Sequence, residues 1–409
     1  MNRQVPHFAR LISLAMLITL PSIRATAEVE HVRNTEPAHP PRTVQLEESW
    51  RVGGDDGELL FGAIVEAISD PDGNVYLLDH HLKQVEVIAP DGEHLRTLSR
   101  EGDGPGEIRN PRDMVYLPDG RIGLAELFPS KLITLTREGV PRATINLGTG
   151  GSEPETGFRA TLSCSRRGDT FLFAGQHSVP SDTGQDRVQS LCMLDATGKE
   201  TARLREATTV LDFAKGVLVE KEILRCFLLV NAVGPDGRVY VPRDRETYAI
   251  EVYAPDGTLE RVIERDLPNR KRTEREMRRI RTVFEATARQ IEIEIQFDVE
   301  PTNQLIADLF VDSENRLWVQ HARSGDDPPD GVLMRYDLFD PSGQYLQEMH
   351  IACEGNAAFD GIEFLPDWRA LLIKGYVLAQ WETFDTSAVN WGEEEDTGAM
   401  EVVCYEIRF

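Results

Sequence analysis

Glu66, Asp113 and Asp308 each stand seven residues before a tight turn, at Gly73, Gly120 and Asn315 respectively. The same count back from three related turns reaches Thr161, Val230 and Gly361. If equivalent positions face a common channel, three carboxylates converge in it. Like charges held that close must carry protons, stay hydrated or share a cation. Calcium is the ion such oxygens suit, but tight binding takes about six to eight of them. The expectation is therefore a water-filled channel of solvated acids that binds a divalent cation weakly if at all, and no other cofactor.

The remaining residues with chemical potential read as structural. Asp70-Pro71-Asp72-Gly73-Asn74 begins like a calcium loop. It lacks the glycine at the sixth loop position and the bidentate glutamate at the twelfth, so it reads as a hairpin turn. Gly102–Glu107 is glycine-rich but opens no helix and carries no Lys-Ser/Thr, which makes it a crossover between units rather than a phosphate cradle. His80-His81 end a strand, His177 and His321 fall in or near loops, and no H-E-x-x-H or G-x-S-x-G pattern occurs. Cys164, Cys192, Cys226, Cys353 and Cys404 are an odd set without C-x-x-C spacing. Cys164 and Cys192 fall on strands two apart, roughly 9–10 Å, which is beyond disulfide reach.

The elements that would position these residues repeat. Six strand–turn–strand units carry the turns Pro71-Asp72-Gly73, Pro118-Asp119-Gly120, Arg166-Arg167-Gly168, Pro235-Asp236-Gly237, Asp312-Ser313-Glu314-Asn315 and Pro366-Asp367-Trp368. A second turn follows each of the first five, as at Pro90-Asp91-Gly92 and Pro255-Asp256-Gly257. Four short strands per unit are implied, and repetition at this period marks an all-β, six-bladed β-propeller. The innermost strand of each unit lines the central channel. The last unit lacks a strand, and Thr43–Val52 belongs to no unit. Pairing it with Met400–Phe409 would close the ring and remove exposed sheet edges.

Residues 266–302 interrupt the pattern between the fourth and fifth units. Thr273 and Glu276 form a capping box, and Met277, Ile280, Phe284, Ile291 and Ile295 recur at helical spacing. The spacing predicts a helix over 273–295 that is folded over its own propeller or serves as a lid or docking element. Arg275, Arg278, Arg279 and Phe284 are the candidate docking residues. Gln176–Arg187 reads as a polar loop.

Residues 1–27 read as a signal peptide, with Arg3 and Arg10, an apolar Leu11–Ile23 and an Ala25-Thr26-Ala27 cleavage site. Residues 28–42 read as a flexible lead-in, and 43–409 as the propeller. An exported chain, periplasmic or extracellular, is expected. The formal charge of −25 disfavours nucleic acid and anionic membranes as partners, and no segment is long enough to insert in a membrane. A monomer binding an unknown protein or small molecule fits this balance.

The stretch Phe61-Gly62 and Asp70–Asp79, followed by the Gly102–Glu107 crossover, resembles bacterial exported six-bladed propellers of the NHL-repeat type. The resemblance is good over 50–150, weaker beyond, and absent from the helical insertion. It implies either a binding module or an enzyme, since such propellers include gluconolactonase-like hydrolases and streptogramin-type lyases. Gluconolactonase-like propellers hold calcium in the channel with carboxylates and an asparagine, and Asn231 lies one residue off the register here. The matched motifs are structural, so no catalytic residue carries over. The reading favours a binding module, with a metal-dependent hydrolase or lyase acting in the channel as the alternative.

Overall fold

Each unit folds because an aspartate organises its turn. The Asp70 carboxylate accepts the amides of Asp72 (2.9 Å) and Asn74 (3.0 Å), and its second oxygen accepts the Asn74 side chain and the Tyr76 hydroxyl. That carboxylate is taken up by its own turn and by Arg137 at 3.2 Å, which fits the hairpin reading of this segment. Asp312 repeats the pattern with Glu314, Arg316 and the Trp318 indole. Gly73 takes φ 84°, where a Cβ would clash with the backbone.

The computed structural model describes residues 29–149, 156–291, 296–383 and 398–408; the expected signal peptide lies outside them. The fold is mostly strand. The first unit is the antiparallel meander Ile64–Ser69, Val75–Asp79, Gln84–Ile88 and His94–Leu98. The second is Pro111–Tyr116, Ile122–Glu126, Lys131–Leu135 and Ile145–Asn146, and the third is Phe158–Arg167, Thr170–Ser181, Gly184–Leu194 and Glu200–Asp212. The fourth is Ala232–Val233, Val239–Pro242, Ala249–Tyr253 and Leu259–Arg265, and the fifth is Ile306–Val311, Leu317–His321, Met334–Phe339 and Tyr345–Ala352. The last joins Gly361–Phe364, Arg369–Ile373 and Glu401–Arg408 to the N-terminal strand Arg42–Gly53, which runs from Gln45 opposite Arg408 to Gly53 opposite Glu401. The pairing expected of Thr43–Val52 is thus present.

Apolar faces join successive units. Tyr76 and Leu78 pack with Met114, Ile122 and Leu124, and further shared cores follow round to Ile64, Val75 and Leu77 of the first unit against Leu371 and Ile373 of the last. Face-to-face sheets whose last member returns to the first are consistent with a β-propeller. All five cysteines are free thiols, and Cys164 and Cys192 lie on strands separated by Phe173.

Helices α1 (Glu220–Ile223) and α2 (Cys226–Leu229) precede the fourth unit, α3 (Glu274–Ile291) follows it, and α4 (Tyr376–Glu382) interrupts the last. The capping box forms, with the Thr273 amide donating to Glu276 at 2.7 Å and the Glu276 amide donating to the Thr273 hydroxyl at 3.2 Å. Glu220 pins the insertion to the body. It is 1% exposed, accepts two hydrogen bonds from Arg272 at 2.7 Å, pairs with Arg245 at 2.9 Å and accepts the Glu300 amide.

Three expectations need correction. The lead-in, 28–42, contains a strand, Glu30–Asn34, parallel to Leu259–Arg265. Val32 buries its side chain there, and Asn34 bonds to Gly343 and Tyr345. Gln176–Arg187 is no loop: the strands of the third unit run on as a hairpin to Ser181 opposite Gly184. In the last unit the run Leu371–Leu378 reads from sequence as one strand, but the strand stops at Ile373 and α4 follows.

Candidate functional site

A β-bulge recurs on the innermost strands, between Ile64 and Glu66, Pro111 and Asp113, Thr161 and Ser163, and Ile306 and Asp308. A bulge leaves one residue out of the ladder and frees its neighbours' polar groups. The predicted acids answer that need. Glu66 accepts the Ala67 amide at 3.2 Å, Asp113 accepts Met114 at 2.9 Å and Cys164 of the next unit at 2.8 Å, and Asp308 accepts Leu309.

A fourth carboxylate, Glu363, joins these three. It lies two residues beyond the register position Gly361, and strand alternation puts both on one face. Gly361 is small for a reason: a Cβ there would stand 2.3 Å from the Tyr376 ring. The ring reaches past it, and the Tyr376 hydroxyl donates to Glu363 at 2.5 Å. The α4 residue Gln380 donates to the bulged Val65 carbonyl at 2.6 Å, so α4 sits against the channel strands. Arg112, also bulged, donates to the Leu162 carbonyl at 3.1 Å and to the Thr383 hydroxyl.

Burial, joined by mutual repulsion at Glu66 and Glu363, raises all four acids above their usual range. Burial and the Asp113 charge raise Glu66 well above the usual range, and Glu66 and Asp113 hydrogen-bond to one another. Burial moves Asp113 and Asp308 up to about 6, and burial with the Asp308 charge moves Glu363 up to about 8. The cluster can store and share protons. Among the described residues, no three His, Cys, Asp or Glu side chains are arranged to hold a metal ion.

Other candidates fall elsewhere. The buried Thr161 hydroxyl bonds to Ser130 at 2.9 Å, the Asn231 amide oxygen accepts from Ser165, and Val230 lies in an apolar core. On α3, Arg275 and Arg279 stack their guanidinium groups on the Phe359 ring, and Arg279 donates to the Ala358 carbonyl, while Arg278 is exposed. Phe284 is not a docking residue on a free surface. It is 4% exposed, and its ring lies 5.2 Å from Phe297. The Ile291 and Ile295 side chains lie outside the described residues.

Phe284 instead helps close a cavity of about 310 Å³. Phe158, Ala160 and Leu162 of the third unit line it, with Leu228 and Leu229 of α2, Val283 and Phe284 of α3, and Trp381 of α4. Among the eighteen lining residues only Gln176, Arg187 and Gln189 bear hydrogen-bonding amides or a charge besides Trp381. Sequence reasoning missed this site. Its walls come from four separate elements, and its polar corner lies on the hairpin read as a loop.

No known protein family matches the chain, and no curated protein matches it. Among solved structures it is similar to a putative exported protein from Bacteroides fragilis, at 10% identity over 92% of this chain and 99% of that one, TM-score 0.48. It is also similar to a calcium-binding regucalcin from Agrobacterium tumefaciens, at 10% identity over 90% and 97%, TM-score 0.43. A streptogramin B lyase matches at 9% identity over 87% and 98%, TM-score 0.41. Similarity this distant assigns no activity to the chain.

Proposed function

We propose that the chain is an exported six-bladed propeller of the NHL-repeat kind, one blade per four-stranded unit, that binds a small ligand in the cavity between the third unit and its helical cover. The observation that carries this reading is the cavity itself: largely hydrocarbon, and built in part from helices that stand outside the four-stranded units. Pockets of about 300–1,000 Å³ with few polar groups are the usual form of a small-molecule site. The channel supports a hydrolase or lyase less well, because both oxygens of Asp113 already accept backbone amides. Calorimetric titration with 1-decanol should show saturable binding at one site per chain. Ala160→Phe, which fills the cavity, should abolish it. A wild-type protein that takes up no decanol overturns the proposal.

A further inference from the structure

Arg187 is the one cationic side chain that lines the cavity, and it lacks the carboxylate that several other arginines of the chain have. Arg272 has Glu220, Arg205 has Glu251 and Arg265 has Asp337. Arg187 makes no ion pair among the described residues. Its Nε donates to the Gln185 amide oxygen at 2.8 Å, while its two terminal nitrogens have no acceptor among the described residues. Burial alone acts on its charge and lowers it only to about 10, so it stays cationic at neutral pH.

The neighbours of Arg187 cannot satisfy it. Gln176 faces Gln189 across the hairpin, and Ser178 faces Arg187. Gln189 donates to the Gln176 oxygen at 3.2 Å and to the Ile223 carbonyl at 3.0 Å, and its own oxygen accepts Arg225 at 3.2 Å. Gln176 donates to the Ser178 hydroxyl at 2.9 Å. Arg225 also donates to the Thr209 hydroxyl at 3.0 Å and likewise has no carboxylate partner among the described residues. These amides are thus turned towards one another. The Arg187 guanidinium, half-buried on the wall of an apolar cavity, keeps its terminal nitrogens open to a ligand, and a planar, bidentate anion is what its fork fits.

Resting on the binding reading above, we infer that the ligand is an amphipathic carboxylic acid, with its carboxylate on Arg187 and its hydrocarbon body along Leu162, Leu228, Phe284 and Trp381. Size limits that body. A dry cavity of about 150 Å³ holds benzene, so about 310 Å³ holds roughly twice that, a body of about ten to twelve heavy atoms. Decanoic acid is of this size.

The test compares three probes of one length, decanoate, 1-decanol and decylamine, by calorimetry on the mature protein at pH 7.5. Decanoate should bind about tenfold or more tightly than decanol, as a charge-assisted hydrogen bond implies, and decylamine more weakly than either. Arg187→Gln should erase the difference between acid and alcohol. Should that variant fail to fold, the wild-type ranking still decides. Equal affinity for decanoate and decanol overturns the carboxylate assignment and leaves the binding site standing. Failure of all three probes to bind overturns both.

Discussion

Glu66, Asp113, Asp308 and Glu363, all raised by desolvation, make the stability of the chain depend on pH in an unusual direction. In the unfolded chain Glu66, Asp113, Asp308 and Glu363 ionise near pH 4. In the folded chain Asp113 and Asp308 hold their protons to about pH 6, Glu363 to about 8, and Glu66 is raised well above its usual range. Below pH 4 the acids are neutral in both states and cost nothing. As pH rises the unfolded chain sheds protons that the folded chain keeps, so stability falls between about pH 4 and 8. Glu363→Gln removes one of these acids and still offers the Tyr376 hydroxyl an acceptor. It should stabilise the protein by roughly 1–3 kcal/mol at pH 8 and leave it little changed at pH 4.5. Denaturant titrations at the two pH values measure this, and a loss of stability at pH 8 would refute it. Three of the four acids were legible in the sequence because they share a turn register. Glu363 was not, because it sits two residues along the same face, where only the position of the channel reveals it.

At the scale of elements, the helical cover depends on one buried ion triad. Glu220 of α1 faces both Arg272, which leads into α3, and Arg245 of the fourth unit. Glu220→Gln leaves the enclosed Arg272 guanidinium without its counter-charge and Arg245 with only Glu246 at 3.7 Å, at a cost of roughly 3–5 kcal/mol. The loss should be local. Hydrogen exchange over 274–286 should quicken strongly while the strands of the first two units keep their protection, and decanol binding should weaken with it. Protection unchanged over α3 would mean that the triad does not hold the cover. The helix itself was legible, because a capping box and an apolar stripe at spacings of three and four are local signals. The extension of the hairpin was not: Gln176, Ser178, Arg187 and Gln189 pair as strands yet carry no apolar alternation. Propensity reads such residues as loop, and only the pairing shows otherwise.

Over the whole molecule, the recurring turns announced a ring of four-stranded units, and the unassigned strand near the N-terminus announced how it closes. Arg42–Gly53 lies between two chain segments that are remote in sequence, antiparallel to Glu401–Arg408 and, over its first residues, parallel to Tyr345–Ala352. It buries Val44 in the core between the fifth and last units and Trp50 in the core between the last and first. What the sequence hid is the second tether, Glu30–Asn34, because five residues of which four are polar leave no periodic trace. The two N-terminal strands therefore carry different weights. The outer one lies on the edge of the fourth unit and contributes one buried apolar side chain, Val32. The inner one contributes two large cores and the closure itself. Removing residues 28–41 should lower the melting temperature only slightly. Removing 28–52 also deletes the buried Val44 and Trp50, about 1.5–3 kcal/mol each, and reopens the two sheet edges that Arg42–Gly53 joins, so a fall of at least about 5–10 °C is expected, with aggregation on heating. Differential scanning calorimetry on both truncations ranks them. Equal melting temperatures for the full chain and the longer truncation would show that the ring holds without its closing strand.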